Sequence, residues 1–136
     1  MTEPLPFPTS WPSLETQPYF DAASEGRLSL PRCDDCDFVI WYPRTRCPEC
    51  GSNNTSWFDA SGKGTVYTAT VVRKGLGRWR ESSPYVLAYV ELEEGPRVLT
   101  NVIDCDPDAV TIGSSVTAVF VDAKEGPPLL RFTLNS

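Results

Sequence analysis

The stretch RCDDCDFVIWYPRTRCPECGS, residues 32–52, places four cysteines within eighteen positions of a chain that contains no histidine. The cysteines form two Cys-x-x-Cys pairs, Cys33/Cys36 and Cys47/Cys50, which are separated by ten residues. Each pair sits on a short turn that brings its two sulfurs together, and two such turns complete the tetrahedron of ligands that zinc prefers. A disulfide staple, an iron–sulfur cluster and a redox thiol pair are the alternatives.

The cellular compartment helps to choose among these alternatives. The start of the chain, MTEPLPFPTS, has neither a basic segment nor an apolar run, so we expect no secretory signal and a cytoplasmic protein. Thiols stay reduced in the cytoplasm, which favours metal ligands over disulfides. Four thiolates leave no coordination position open, so we predict that Cys33, Cys36, Cys47 and Cys50 bind a structural Zn²⁺. We expect the ten-residue spacer to form a β-hairpin arm.

Length and charge limit the possible functions. The 136 residues fit one domain or a small domain with an appendage, and 40% hydrophobic residues suffice for a core. Eighteen acidic residues against twelve basic ones give a net charge of −6, which disfavours binding to nucleic acid or to an anionic membrane surface. No apolar run reaches eighteen residues, so we expect no membrane span.

The segment before the ribbon is predicted to be an extended arm followed by a short helix. Residues 1–15 contain four prolines and show no hydrophobic period. Helix signals follow, with Thr16 as the N-cap, Pro18 in the first turn and Gly26 after the last turn. We therefore predict a helix over residues 17–25, with its apolar residues Tyr19, Phe20 and Ala23 on one face.

Beyond the ribbon the sequence becomes typical of strands. Residues 61–64, SGKG, read as a linker. Alternating and β-branched stretches then predict strands at residues 65–74, 84–94, 97–104, 114–123 and 128–134. A helical turn is expected at residues 106–110, with Asp106 as its cap. Five strands with this turn after the third match the OB-fold, a partly open Greek-key barrel, although a sandwich or an SH3-like barrel remains possible.

The predicted architecture is therefore mainly β, with an N-terminal helix, a four-cysteine zinc ribbon and a five-stranded OB-fold barrel. The predicted boundaries are residues 1–30 for the arm and short helix, 31–60 for the zinc ribbon and 61–136 for the OB-fold.

A basic loop is the main candidate for ligand contact. Residues 73–80, RKGLGRWR, place Arg73, Lys74, Arg78 and Arg80 around Trp79. Basic residues beside an aromatic ring are typical of nucleic-acid contacts, but an acidic chain argues against that partner. A coenzyme A phosphate, an acidic patch on a partner protein and a simple solvated loop remain open.

Several aromatic residues are candidate partner contacts, because the cores of protein interfaces are enriched in aromatic side chains. Local packing on the ribbon and the barrel is the alternative for each of them. These candidates are Phe7, Trp11, Trp41, Tyr42 and Trp79.

No residue suggests catalysis by this chain alone. Without histidine there is no histidine base and no Ser-His or Cys-His pair. None of the three lysines lies in an apolar segment, and the carboxylates beside Cys105 should raise the pKa of its thiol rather than activate it. We expect Cys105 to fill space in the core.

The order of helix, four-cysteine ribbon and acidic OB-fold resembles a family of zinc-ribbon/OB-fold proteins associated with acyl-CoA enzymes and long described as a domain of unknown function. The segments that carry this resemblance are PYFDAASEGRL, CDDCDFVIWYPRTRCPECGS, WFDASGKGTVYTATVV, PYVLAYVELEEGPRVLTNV and IGSSVTAVFVD.

The resemblance implies a subunit rather than a free-standing enzyme. Members of the family pair with thiolase-superfamily proteins, and residues 73–109 look most like the branch that accompanies thiolase-like steroid side-chain aldolases. The implied assembly has two large and two small subunits, takes a coenzyme A thioester as substrate and carries its reactive groups on the large chain. Alternatives are a subunit of a thiolase, of a hydroxymethylglutaryl-CoA synthase or of an acyltransferase, or an independent OB module that binds a ligand or nucleic acid.

Overall fold

The computed structural model describes residues 5–135. Residues 1–4, where the predicted arm begins, and Ser136 lie outside the described residues. The described chain is mainly β with one α-helix, which confirms the predicted fold class. The elements are α1 (Gln17–Ala23), β1 (Ser29–Cys33), β2 (Thr55–Asp59), β3 (Lys63–Val72), a 3₁₀ turn (Gly77–Ser82), β4 (Tyr85–Leu92), β5 (Arg97–Thr100), β6 (Val102–Ile103), a second 3₁₀ turn (Pro107–Ala109), β7 (Ser115–Val121) and β8 (Leu129–Leu134).

Helix α1 begins where the sequence predicts and ends two residues earlier. Gly26, with φ of +78°, closes the helix by donating its N–H to the Ala23 carbonyl, while the next N–H bonds to Ala22. Thr16 occupies the N-cap position but its hydroxyl does not cap the helix; it accepts the Ser13 N–H at 2.8 Å instead. The predicted apolar face is confirmed, because Tyr19, Phe20 and Ala23 are all buried.

The ribbon is built on one antiparallel pair, β1 with β2, in which Leu30 lies opposite Phe58. The predicted β-hairpin in the spacer is wrong. The spacer instead runs beside the free edge of β1, where Val39 forms a single bridge with Arg32 and Ile40 donates to the Pro31 carbonyl. Strand β1 therefore pairs along one edge with β2 and along the other with the start of the spacer. Because these spacer residues contact β1, the spacer does not form a hairpin.

The larger sheet has the strand order β5-β4-β3-β7-β8-β6. Its first strand starts at Lys63, so the predicted linker is wrong in its second half. Gly64 lies within β3, opposite Leu92 on β4 and Val116 on β7. A Cβ atom at this position would lie 2.6 Å from Cγ1 of Val90, so the close approach of the neighbouring strand requires glycine here.

The third predicted strand, residues 97–104, is split in two. Asn101 interrupts this strand. Its buried side-chain amide donates to the Val86 carbonyl at 2.7 Å, and its backbone carbonyl accepts the Phe132 N–H. Before Asn101, β5 pairs antiparallel with β4; after it, β6 pairs parallel with β8. The two outermost strands of the sheet thus come from one segment, which curls the sheet into a partly open barrel.

The barrel interior and the inner faces of α1 and β1 form one hydrophobic core. Alternation along the strands places every second side chain inside, as in β4 where Val86, Ala88, Val90 and Leu92 are buried. The predicted helical turn is confirmed at Pro107–Ala109, where Asp106 accepts the Asp108 N–H at 3.0 Å. Within residues 5–135 no helix is long and apolar enough to cross a membrane.

Candidate metal centre and contact surfaces

The four ribbon cysteines come together in one cluster. Their sulfur atoms all lie within 4.8 Å of one another, with 3.5 Å between Cys33 and Cys50 and 3.6 Å between Cys36 and Cys47. A tetrahedral zinc with Zn–S bonds of roughly 2.3 Å requires sulfurs about 3.8 Å apart. The cluster therefore has the spacing of a four-thiolate zinc site.

The two cysteine turns share one backbone pattern. In the first turn the Cys33 N–H donates to the Phe38 carbonyl, and in the second the Cys47 N–H donates to the Ser52 carbonyl, both at 2.9 Å. In return, the N–H of Phe38 points at the sulfur of Cys36, and the N–H of Ser52 points at the sulfur of Cys50. These N–H donors favour the thiolate, which is the form that binds a metal, whereas burial and the neighbouring cysteines raise the pKa of both thiols.

Backbone conformation makes the two turns equivalent. The residue after the second cysteine of each pair is left-handed, Asp37 with φ of +65° and Gly51 with φ of +81°. Asp and Gly tolerate this conformation better than most residues. Cys33 and Cys47 are buried and their partners face outward, so each turn supplies one inner and one outer sulfur.

Polar contacts hold the ribbon in place. The carboxylate of Asp35, in the first cysteine turn, accepts hydrogen bonds from Ser52 and Asn54 beyond the second. Glu15, before the helix, accepts both the N–H and the hydroxyl of Thr45, at 3.0 and 2.8 Å. The Thr45 N–H holds the pKa of Glu15 below its usual value. These bonds fix the spacer and the second turn relative to the helix.

The basic loop lies on the surface, partly in the loop after β3 and partly in the first 3₁₀ turn. Arg73 forms an ion pair with Asp108, with 2.6 Å between Nη2 of the arginine and Oδ1 of the aspartate. Lys74, Arg78 and Arg80 are exposed, and none of them makes an ion pair with another residue in 5–135. Their role as contacts for coenzyme A or a partner stays a prediction.

The predicted aromatic contacts fall into three different environments. Trp41 and Tyr42 pack against Tyr19, with ring centroids 5.7 and 6.2 Å away. Trp79 packs on Tyr85 with centroids 5.1 Å apart. Trp11, by contrast, is 86% exposed. Local packing therefore accounts for part of the set, and Trp11 is the most available for a partner.

Phe7 lines a cavity together with two residues that the sequence did not suggest as contacts, Cys105 and Arg131. Burial raises the pKa of Cys105, and the carboxylates of Asp106 and Asp104 raise it further. The thiol is therefore not activated, in agreement with the sequence. The sequence does contain a signal that could have identified Arg131. It follows Leu129 by two residues on a predicted strand, so both side chains lie on the same face.

The three lysines lie on the surface. Lys63, Lys74 and Lys124 are all exposed, so none of them lies in an apolar pocket.

A four-cysteine ribbon that leads directly into an OB-fold defines a class of small two-part proteins. Two family models match this chain: the ChsH2 rubredoxin-like zinc ribbon domain over residues 20–56 and the ChsH2 C-terminal OB-fold domain over residues 57–121. The chain belongs to this ChsH2 family of zinc-ribbon and OB-fold proteins.

Two curated relatives and one solved structure illustrate the family. A DUF35 domain-containing scaffold protein of Methanothermobacter thermautotrophicus is 38% identical over 72% of this chain and 74% of its own length. A probable enoyl-CoA hydratase alpha subunit of Thermomonospora curvata is 37% identical over 77% of this chain but only 33% of its own length. The solved structure of the Ltp2-ChsH2(DUF35) aldolase contains a chain with a TM-score of 0.80 and 32% identity, covering 92% of this chain and 98% of that one.

Proposed function

We propose that this protein is the small subunit of an acyl-CoA enzyme whose thiolase-like large subunit carries the catalytic groups. One observation carries the proposal: the likeness to a chain of the Ltp2-ChsH2(DUF35) aldolase extends over almost the full length of both chains. The exposure of all three lysines and the raised pKa of Cys105 support a non-catalytic role. The proposal includes an assembly of two large and two small subunits in the cytoplasm.

In this proposal Cys33, Cys36, Cys47 and Cys50 hold zinc as a structural ion. Bound zinc would supply a closed tetrahedral crosslink between the two cysteine turns, with no open position for substrate. The chain's own contribution is to present four thiolates at the required spacing and to direct backbone N–H groups at them. The ribbon then serves as a rigid base for α1 and the spacer.

The reaction we propose for the complex is retro-aldol cleavage of a steroid side-chain hydroxyacyl-CoA. Its support is the aldolase named in the solved structure and the resemblance of residues 73–109 to the aldolase-associated branch. The basic loop would lie near the entrance for coenzyme A, where Lys74, Arg78 and Arg80 could contact its phosphates. These contacts would bind substrate and exclude water rather than move protons.

A second candidate is a subunit of an enoyl-CoA hydratase. The relative from Thermomonospora curvata, named as a hydratase alpha subunit, favours it. This chain spans only a third of that relative, so the likeness covers one part of a longer protein. A hydratase complex would need its catalytic groups from elsewhere, just as an aldolase complex would.

Co-expression separates the two candidates. We would express this chain with a thiolase-like protein or with a hydratase-like protein from the same genome and analyse each pair by size-exclusion chromatography and acyl-CoA assays. We expect co-elution and cleavage activity with the thiolase-like protein, and no activity from the small chain alone. Stable assembly and hydration with the hydratase-like protein only would replace the first candidate by the second.

A further inference from the structure

A cavity of about 440 Å³ lies against the OB-fold, under the N-terminal arm. The arm contributes Leu5 and Phe7. The remaining lining comes from the end of the first 3₁₀ turn, the start of β4, strand β6 and the segment after it, the end of β7 and the start of β8. Its volume falls in the range of roughly 300–1,000 Å³ that is usual for small-molecule sites. Neither the proposed large subunit nor the proposed phosphate contacts of the basic loop gives this cavity a role.

Arg131 is the only basic residue among the described residues that line the cavity. Leu129 and Arg131 both face the cavity, whereas Phe132, on the other face of β8, is buried in the core. Within residues 5–135 no carboxylate lies within ion-pair distance of this guanidinium, and its one hydrogen bond there goes to the Leu130 carbonyl at 3.1 Å. A guanidinium has five N–H donors, so most of them remain available to a ligand.

The other ionisable groups at the cavity do not neutralise Arg131. Asp104 is exposed, and water screens its charge. Cys105 is held neutral because burial and the neighbouring carboxylates raise the pKa of its thiol. The half-buried guanidinium is thus the least screened charge at the cavity, and an anion would gain the most by binding beside it.

The apolar part of the cavity favours a compact ring system over water. Phe7 and Tyr85 supply aromatic surfaces, and Pro84 and Pro107 supply flat aliphatic ones. Aromatic rings pack well on such surfaces at centroid distances of roughly 4.5–7 Å. We propose that this cavity binds a small carboxylate with a ring-containing apolar body, its carboxylate paired with Arg131 and its rings between Phe7 and Tyr85.

A pair of isosteric ligands tests the pairing with Arg131. Isothermal titration calorimetry on the full chain would compare 1-naphthylacetate with the neutral 1-naphthylacetamide. We expect the acid to bind about tenfold more tightly, as one charge-assisted hydrogen bond at a half-buried site would provide. Arg131→Gln should remove this preference, and Arg131→Lys should restore part of it.

The matched control is Arg44→Gln, which removes the same charge from the surface of the ribbon and should leave both affinities unchanged. Thermal unfolding would show that each variant is folded. Equal affinity of the wild type for the two ligands, a preference that survives Arg131→Gln, or binding of neither ligand at millimolar concentration would overturn the proposal.

Cys105 reports whether the ligand occupies this cavity. On the zinc-loaded chain, N-ethylmaleimide should modify Cys105 several-fold more slowly when 1-naphthylacetate is present, as measured by mass spectrometry of the Cys105 peptide. A modification rate that the bound ligand does not change would place the ligand elsewhere and refute the assignment.

Discussion

Cys33 and Cys47 are buried, while Cys36 and Cys50 reach the surface from the same two turns. Backbone N–H groups in each turn point at the sulfurs and favour thiolates, whereas burial and the neighbouring cysteines raise the pKa of Cys36 and Cys50. At the scale of single residues, these sulfurs and a few glycines are the positions where a small change should have the largest effect.

Replacement of Cys47 by serine should reduce bound zinc from about one ion per chain to nearly none, because a hydroxyl is a poor substitute for a thiolate ligand. The melting temperature and solubility should fall with it. Metal analysis by mass spectrometry and thermal unfolding measure both effects. Cys105→Ser is the control and should keep its zinc. A Cys47→Ser protein with full zinc and unchanged stability would contradict the assignment of the ligands.

Gly64→Ala should destabilise the barrel by about 1–3 kcal/mol, the usual cost of forcing extra volume into a packed site. The new Cβ would lie 2.6 Å from Cγ1 of Val90 and 2.9 Å from the carbonyl oxygen of Glu91. Urea unfolding followed by circular dichroism gives the free energy of unfolding. Thr65→Ala, at the exposed neighbouring position, should cost far less. Equal stability of Gly64→Ala and the wild type would show that β3 and β4 can separate without penalty.

At the scale of elements, the loop after β3 and the first 3₁₀ turn form the most cationic part of an acidic protein. Gly75 is buried there, and a Cβ on it would lie 2.4 Å from the Trp79 carbonyl oxygen. The Ser83 hydroxyl accepts the Gly75 N–H at 2.6 Å and donates to that same carbonyl. The loop is thus closed on itself, and its basic side chains project from an ordered support.

In the proposed complex with a thiolase-like partner, Arg78→Ala combined with Arg80→Ala should raise the KM for the coenzyme A substrate several-fold and change kcat less. Contacts remote from the reacting carbon stabilise the ground state and the transition state alike. Each exposed pair of an arginine and a phosphate contributes under about 1 kcal/mol to binding. Steady-state kinetics measures the effect, with Arg44→Ala as control. Loss of co-purification would instead assign the arginines to the protein interface, and no change at all would make the loop merely solvated.

At the scale of the whole molecule, a net charge of −6 outweighs one basic loop. An exposed apolar face nonetheless crosses β3, β4 and β5, where Tyr67, Tyr89 and Leu99 are 47%, 44% and 54% exposed. Sheet faces of OB-folds often bind nucleic acid, so the shape of this face favours nucleic-acid binding whereas the net charge disfavours it. Electrostatics should decide, since counterion release supplies most non-specific affinity for nucleic acid.

The full chain should therefore show no appreciable binding to single-stranded DNA or RNA at physiological salt. Fluorescence polarisation with labelled oligonucleotides, repeated at low salt, is the measurement. Micromolar binding that weakens steeply as salt increases would contradict this expectation and would support an independent nucleic-acid-binding module.

The sequence by itself determined the features that depend on neighbouring residues. Cys-x-x-Cys spacing predicts a turn with two converging sulfurs, and alternation along β4 predicts which side chains are buried. Gly26 and Pro18 mark the ends of α1 for the same reason, because backbone preferences act over a few residues. Within that range the helix, the cysteine cluster and most strands were predicted correctly.

Only the tertiary structure decided which segments meet. Val39 takes the free edge of β1, Asn101 splits one predicted strand between β4 and β8, and Gly64 is required by the approach of Val90. The cavity beside Arg131 is lined both by Phe7 of the N-terminal arm and by residues of β8, more than a hundred positions later in the chain. Such features depend on packing between distant segments, and local backbone preferences and side-chain alternation carry no information about it.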